Sequence, residues 1–157
     1  MPTLHLVIFK PWTILSKDAA HWALFLPEKE GDPHGDFFGV KKSGYISKMT
    51  EFEHVEHCDI QQLQEYTNEI RSIIALTELG VDRLVLLHIC RDVTQDRPFD
   101  LITRNCQHWV CEVIKKLEKR LNVEQTINVL ARIKGLGISP LTEFKAENRI
   151  VVPKSRY

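Results

Sequence analysis

The chain has 157 residues, of which 43% are hydrophobic and 27% charged, a composition typical of one globular domain. Its 21 Lys and Arg residues balance 21 Asp and Glu residues, which excludes the overall basic character that favours binding to nucleic acid or to anionic membranes. No apolar run reaches membrane-spanning length and the first residues lack a signal-peptide pattern, so we expect a single domain over residues 1–157, located in the cytoplasm.

Strands are predicted in the first third of the chain. The apolar run in residues 1–10 predicts the first strand, and the aromatic and aliphatic run His21–Pro27, which ends in proline, predicts the second. Asp36–Val40 predicts a third strand, so that His34 falls in the preceding Gly/Pro turn. Residues 46–58 predict a further strand, half polar.

Helices are predicted in the remainder. Asp59 can cap a helix whose apolar stripe ends near Gly80. Residues 82–90 fit a buried strand or a helix, and the pattern does not decide between them. The other predicted elements are a strongly patterned helix over 106–121, a helix over 123–134, a short edge strand at 150–152 and a frayed tail at 154–157. This order predicts an α+β fold, with helices packed on one face of a small antiparallel sheet.

Cys106 is the candidate nucleophile. Asn105 can cap the helix that starts at Cys106, and a helix N-terminus favours negative charge. We therefore expect the pKa of the thiol to be lowered, and Cys106 to be the most reactive of the four cysteines. The alternative is that Cys106 is a small buried hydrophobic residue, the commoner fate of cysteine.

His21 is the candidate general base. It stands at the start of a predicted buried strand, where an imidazole can be held rigidly at the rim of a sheet. Asp18 or His34 can orient its ring. The alternative is a strand-end histidine whose ring is satisfied by a backbone carbonyl.

The remaining cysteines and histidines do not predict a metal centre. Without a signal peptide, thiols rather than disulfides are expected. In an alternating strand His54, Glu56 and Cys58 share one face and His57 points away, but this spacing fits no common zinc pattern. A polar strand edge is the favoured interpretation, and we expect no cofactor and no stoichiometric transition metal.

Two short segments resemble a known group of enzymes. His21-Trp22-Ala23-Leu24-Phe25-Leu26, followed much later by Asn105-Cys106-Gln107-His108-Trp109-Val110, is similar to the circularly permuted papain-like superfamily. That superfamily includes the PPPDE isopeptidases, the lecithin:retinol acyltransferase relatives and the permuted NlpC-type peptidases. The pair of segments is also similar to small uncharacterised fungal proteins. The resemblance implies a papain-like fold in which Cys106 is the nucleophile and His21 the base.

The resemblance leaves a third catalytic residue open. The acyltransferase relatives carry a second histidine about a dozen residues after the first, and His34 follows His21 at a similar spacing. If that histidine belongs inside the strand, its place is taken by Gly39, and a Cys-His dyad remains.

Three functions from different classes follow from these patterns. The first is a thiol hydrolase or an acyl or peptidyl transferase, acting on a small-molecule, lipid or peptide substrate. In this reaction the Cys106 backbone N–H donates a hydrogen bond to the oxyanion, and Gln107 or the His108 ring also stabilises it. Trp22 forms part of the pocket wall or of the core. The second is a non-catalytic interaction or ligand-binding module on the same scaffold. The third is a metal-binding or redox protein that uses Cys58, Cys90 and the histidines. The oligomeric state is left open.

Overall fold

The computed structural model describes residues 1–9, 21–42, 49–65, 70–99 and 106–122. These residues form β1 (Thr3–Phe9), β2 (Trp22–Pro27), β3 (His34–Lys42), β4 (Thr50–Asp59), a 3-10 helix (Ile60–Glu65), β5 (Ile70–Gly80), α1 (Arg83–Thr94) and α2 (Cys106–Leu121). The predicted α+β class, an antiparallel sheet with helices, is confirmed. The elements predicted at 123–134, 150–152 and 154–157 lie outside the described residues. No described helix is long and apolar enough to cross a membrane.

The five strands form one antiparallel sheet in the order β4-β3-β2-β1-β5. Successive side chains of a strand point to opposite faces of the sheet, and here both faces of the sheet carry buried residues. On one face, called the helix face below, Leu6, Leu24 and Phe38 pack against buried residues of α1 and α2. The other face, called the open face below, carries Phe25 and other buried residues that pack with the 3-10 helix.

The predicted helix from Asp59 to Gly80 is wrong. Asp59 caps only the 3-10 helix, through a 2.8 Å hydrogen bond from the Gln61 backbone N–H to its carboxylate. Residues 70–80 instead form β5, which pairs with β1 along its length. The consecutive apolar residues 73–76 are typical of a strand buried on both faces, a pattern that helical spacing also accommodates.

The ambiguous segment 82–90 is helical. Asp82 caps α1, because its carboxylate accepts hydrogen bonds from the backbone N–H groups of Leu84 at 3.1 Å and Val85 at 3.3 Å. Such a cap satisfies donors that have no partner within the helix, so the chain leaves β5 and enters α1 within three residues.

Strand β4 contains a bulge that changes which side chains share a face. Gly35 pairs with Cys58 but Phe37 pairs with Val55, so two β4 residues stand opposite one residue of β3. His57, inside this bulge, has a φ of 49°, in the left-handed region. His54 consequently lies on the helix face, stacked on Phe38, whereas Cys58 packs on the open face. The prediction that His54 and Cys58 share a face is therefore wrong.

Candidate active site

Cys106 is the first residue of α2, as predicted, and its side chain faces the sheet. The backbone N–H of Trp22, at the start of β2, donates a hydrogen bond to the Cys106 sulfur over 3.4 Å. The two residues are 84 positions apart in the chain. The fold thus brings together the two short segments that the sequence singled out. The capping role predicted for Asn105 falls outside the described residues.

The Cys106 thiol is buried, with 8% of the residue exposed. Burial raises its pKa to about 11, and the hydrogen bonds from the backbone N–H groups of Trp22 and of the helix start oppose the rise only in part. The expected lowering of the pKa is therefore reversed, because desolvation outweighs the helix terminus. At neutral pH Cys106 is a protonated thiol. Burial also raises the pKa of Cys58 to about 11 and that of Cys90 further.

His21 lies immediately before β2, where its carbonyl accepts a 2.9 Å hydrogen bond from the Phe9 N–H. Its ring packs against that of Phe9, with the ring centroids 5.3 Å apart and the ring planes tilted by 35°. Phe9 belongs to the open face, so the imidazole lies on the side of the sheet away from α2 and Cys106. The Trp22 N–H therefore contacts the thiol, whereas the His21 ring lies on the open face of the sheet. Burial lowers the pKa of His21 to about 4, so the ring is neutral at pH 7.

His34 is not brought to the thiol. It is the first residue of β3, rather than part of a turn, and its carbonyl accepts a hydrogen bond from Glu28 beyond the far end of β2. His21 is seven residues from Glu28 along an extended chain, a separation of roughly 23 Å. The His34 ring instead stacks on His57 with a centroid separation of 5.1 Å. His34 therefore cannot orient His21, and the Cys-His-His triad is not formed here.

The predicted binding residues lie around the thiol. Gln107 and His108 follow Cys106 in the first turn of α2, with Gln107 buried and His108 half-buried. Trp22 is fully buried, and its indole N–H has no hydrogen-bond partner among the described residues. By contrast, the Trp109 indole N–H donates to the Thr94 hydroxyl over 2.9 Å. Trp109 is therefore a satisfied core residue, while Trp22 retains an unused donor.

A polar cluster on the helix face was missed by the sequence reasoning. The buried Asp36 carboxylate accepts hydrogen bonds at one oxygen from His54 Nε2, at 2.6 Å, and from Arg83 Nε, at 2.7 Å. Arg83 also contacts the exposed Glu56, at 3.3 Å. The cluster joins β3, β4 and α1. The sequence indicates this cluster in one way. Asp36 lies two residues before Phe38 in the same strand, so its side chain points to the same buried face, and a charged residue at a core position needs partners.

The environment of His21 gives a pH dependence of stability. In the unfolded chain the ring has its ordinary pKa of 6.5, but in the folded protein it resists protonation down to about pH 4. As the pH falls from about 6.5 towards about 4, His21 is protonated in the unfolded state but not in the folded state, so the free energy of unfolding decreases. Between about pH 7.5 and pH 5 we expect His21 to lower the free energy of unfolding by about 2 kcal/mol.

Urea unfolding of the wild type and of His21→Phe at both pH values measures this contribution. Phenylalanine preserves the ring contact with Phe9 but does not titrate, so the stability of the variant should fall by about 2 kcal/mol less on acidification. His88→Gln, on an exposed position of α1, is the matched control and should behave as the wild type. An equal acid loss in the wild type and His21→Phe would show that the His21 ring is solvated in the folded protein.

Within the described residues, no group of three or more His, Cys, Asp or Glu side chains is arranged to hold a metal ion. The four cysteines are present as thiols.

The chain was compared with known protein families, curated proteins and solved structures. A model described as a family of unknown function (DUF6540) matches residues 12–123, more than two thirds of the chain. No curated protein and no solved structure matches the chain. The match covers β2, β3 and β4, as well as Cys106 and the whole of α2.

Proposed function

We propose that this chain, which belongs to the DUF6540 family, is a thiol-dependent hydrolase or acyl or peptidyl transferase with Cys106 as its nucleophile and His21 as its general base. The observation that carries the proposal is the 3.4 Å contact between the Trp22 N–H and the Cys106 sulfur. It places the start of β2, where His21 stands, beside the N-terminus of the thiol helix. The order of these parts, base before nucleophile, supports a permuted papain-like arrangement.

The proposed reaction uses the chain's own residues in two steps. His21 takes the thiol proton, and the Cys106 sulfur forms a bond to the carbonyl carbon of an ester, thioester or amide. The leaving group departs with the electron pair and receives that proton from the imidazole. Water or another acceptor then attacks the thioester and returns Cys106 to its thiol form. Backbone N–H groups at the start of α2 stabilise the oxyanion.

The resting site must rearrange for this reaction. Thiol and imidazole are both neutral, and the His21 ring lies on the open face. Adjacent residues of an extended chain point to opposite faces, and His21 precedes β2 rather than lying within it, so a rotation of the backbone at one residue reverses its face. The Trp22 indole N–H has no hydrogen-bond partner among the described residues. A substrate carbonyl that accepted a hydrogen bond from it would stabilise the rearranged site.

An activated ester tests the proposal without knowledge of the natural substrate. The wild type is incubated with p-nitrophenyl acetate, release of p-nitrophenolate is followed, and the acetylated residue is mapped by mass spectrometry. We expect one acetyl group on Cys106, followed by turnover. Cys106→Ala should reduce the rate to that of buffer, and His21→Phe should reduce it at least a hundredfold. Cys111→Ala, on the same helix, is the matched control and should keep the wild-type rate.

The second candidate is a non-catalytic ligand-binding or interaction module. The pKa of about 11 for Cys106, together with the packing of the His21 ring against Phe9, favours this function, because both are typical of a packed core and not of a reactive thiolate. In this case Cys106 is acetylated no faster than Cys111, and Cys106→Ala leaves ester hydrolysis unchanged. That result would reject the enzyme proposal.

A further inference from the structure

A separate cavity of about 270 Å³ opens on the open face of the sheet. Its apolar wall consists of Phe25, Pro27, Pro33, Ile60 and Ile73. The cavity lies near the end of β2 that is remote from Trp22, roughly 15 Å along the strand, and on the face away from Cys106. It is therefore distinct from the candidate thiol site. Concave, mostly apolar pockets with a few polar groups are the usual form of small-molecule sites.

His5 supplies one polar group of this cavity, and its protonation state is fixed by its contacts. Its Nδ1 lies 2.9 Å from the Thr3 carbonyl oxygen, which can only accept, so Nδ1 carries the proton and donates. Burial lowers the pKa of the ring, although the Thr3 hydrogen bond and the nearby Glu30 carboxylate oppose the change. The ring is therefore neutral at pH 7, and its Nε2 is a hydrogen-bond acceptor.

Asp32 supplies the charge. Its Oδ1 accepts a 2.9 Å hydrogen bond from the His34 backbone N–H, and this bond is the main reason that the pKa of the carboxyl is lowered. The His34 ring, at 3.5 Å, and Lys29 also act on this carboxylate, but neither lines the cavity. The remaining polar lining group is the amide of Gln61. Among the described residues, the lining thus contains one anion, two neutral groups that can accept a hydrogen bond, and no cation.

We propose that this cavity binds a small primary amine, with its ammonium group between Asp32 and His5 and its aromatic or aliphatic body against Phe25 and Ile73. An ammonium group is a donor with three N–H bonds and a positive charge, which matches two acceptors and a net negative lining. A carboxylate or phosphate ligand would be repelled by the Asp32 charge, and the described lining residues include no cation to compensate it. The volume suits a body of about ten non-hydrogen atoms.

Three ligands that share a phenyl ring test the charge selectivity. Amide chemical shifts of the isotope-labelled protein are followed during titration with 2-phenylethylamine, 2-phenylethanol and 3-phenylpropionate at pH 7.5. We expect the amine to bind with a Kd of about 1 mM and to shift the amides of His5, Phe25 and Ile73. The alcohol should bind roughly tenfold more weakly, and the carboxylate should not bind in the accessible range.

Two variants and a control complete the test. Asp32→Asn keeps the oxygen that accepts from the His34 N–H but removes the charge, so we expect the amine to lose roughly tenfold in affinity. Gln61→Trp, at an exposed position of the lining, should block all three ligands. Asp92→Asn, on the exposed side of α1, should leave binding unchanged. Equal binding of amine and carboxylate, no effect of Asp32→Asn, or shifts centred on α2 would each overturn the proposal.

Discussion

Gly35→Ala is expected to lower the free energy of unfolding by about 4 kcal/mol or more, a large part of the stability of a domain this size. A Cβ atom at this position would lie 2.2 Å from the carbonyl oxygen of Leu26 and 2.7 Å from the Cα of Pro27. Both atoms belong to the backbone of β2, so no side chain can rotate to relieve the overlap. β3 would have to separate from β2 next to the bulge in β4.

Urea unfolding followed by circular dichroism measures this effect. Gly39→Ala is the matched control in the same strand, because the three atoms nearest to its Cβ would belong to the side chains of Phe37 and Ala23, at 3.3–3.5 Å. We expect it to change stability by less than about 1 kcal/mol. If the two variants unfold at the same urea concentration, the close approach of β3 to β2 at Gly35 is not present in solution.

Asp36→Ala is expected to destabilise the protein by about 3 kcal/mol. The substitution removes the acceptor for His54, whose side chain is 11% exposed, and for Arg83. A buried donor left without its partner loses its hydration without compensation, which costs more than the hydrogen bond itself contributes. β4 and α1 would also lose their shared attachment to β3.

Glu56→Ala is the control for the Asp36 experiment. Glu56 contacts the same arginine, but its side chain is 70% exposed, so we expect a change within about 1 kcal/mol. Unfolding in urea at pH 7 compares the two variants. A loss at Asp36 no larger than that at Glu56 would mean that water replaces the carboxylate, and that the cluster is not part of the buried structure.

The sequence predicted the strands and the helix that carry strong local signals. β1 and β2 are short apolar runs, and α2 shows an apolar stripe with helical spacing, so each was predicted to within a residue or two. β5 was not, because its isoleucines and leucines fit a helical stripe as well as a buried strand. Pairing with β1 decides between them, and pairing is a long-range property that local periodicity does not contain.

For the candidate site, the sequence predicted the proximity of two segments but not the orientation of His21 or the electrostatics of the thiol. The sequence paired the segment at Trp22 with Cys106, and the structure joins them. It predicted a lowered thiol pKa, with a buried hydrophobic cysteine as the alternative, and burial of Cys106 favours that alternative. It did not indicate that the His21 ring lies on the open face, which depends on tertiary packing. The bulge at His57 was equally hidden, because an extra residue in a strand has no composition of its own.

That bulge has a consequence for self-association. β4 is a terminal strand of the described sheet, and a straight terminal strand offers a regular row of N–H and C=O groups to another copy of the chain. The left-handed residue His57 breaks the spacing of this row, and the Glu28 carboxylate holds its imidazole by a hydrogen bond that raises its pKa. At the opposite end of β4 the Thr50 N–H already pairs with the Arg97 carbonyl. In the described sheet, regular pairing of β4 with another copy of the chain is therefore confined to its central residues.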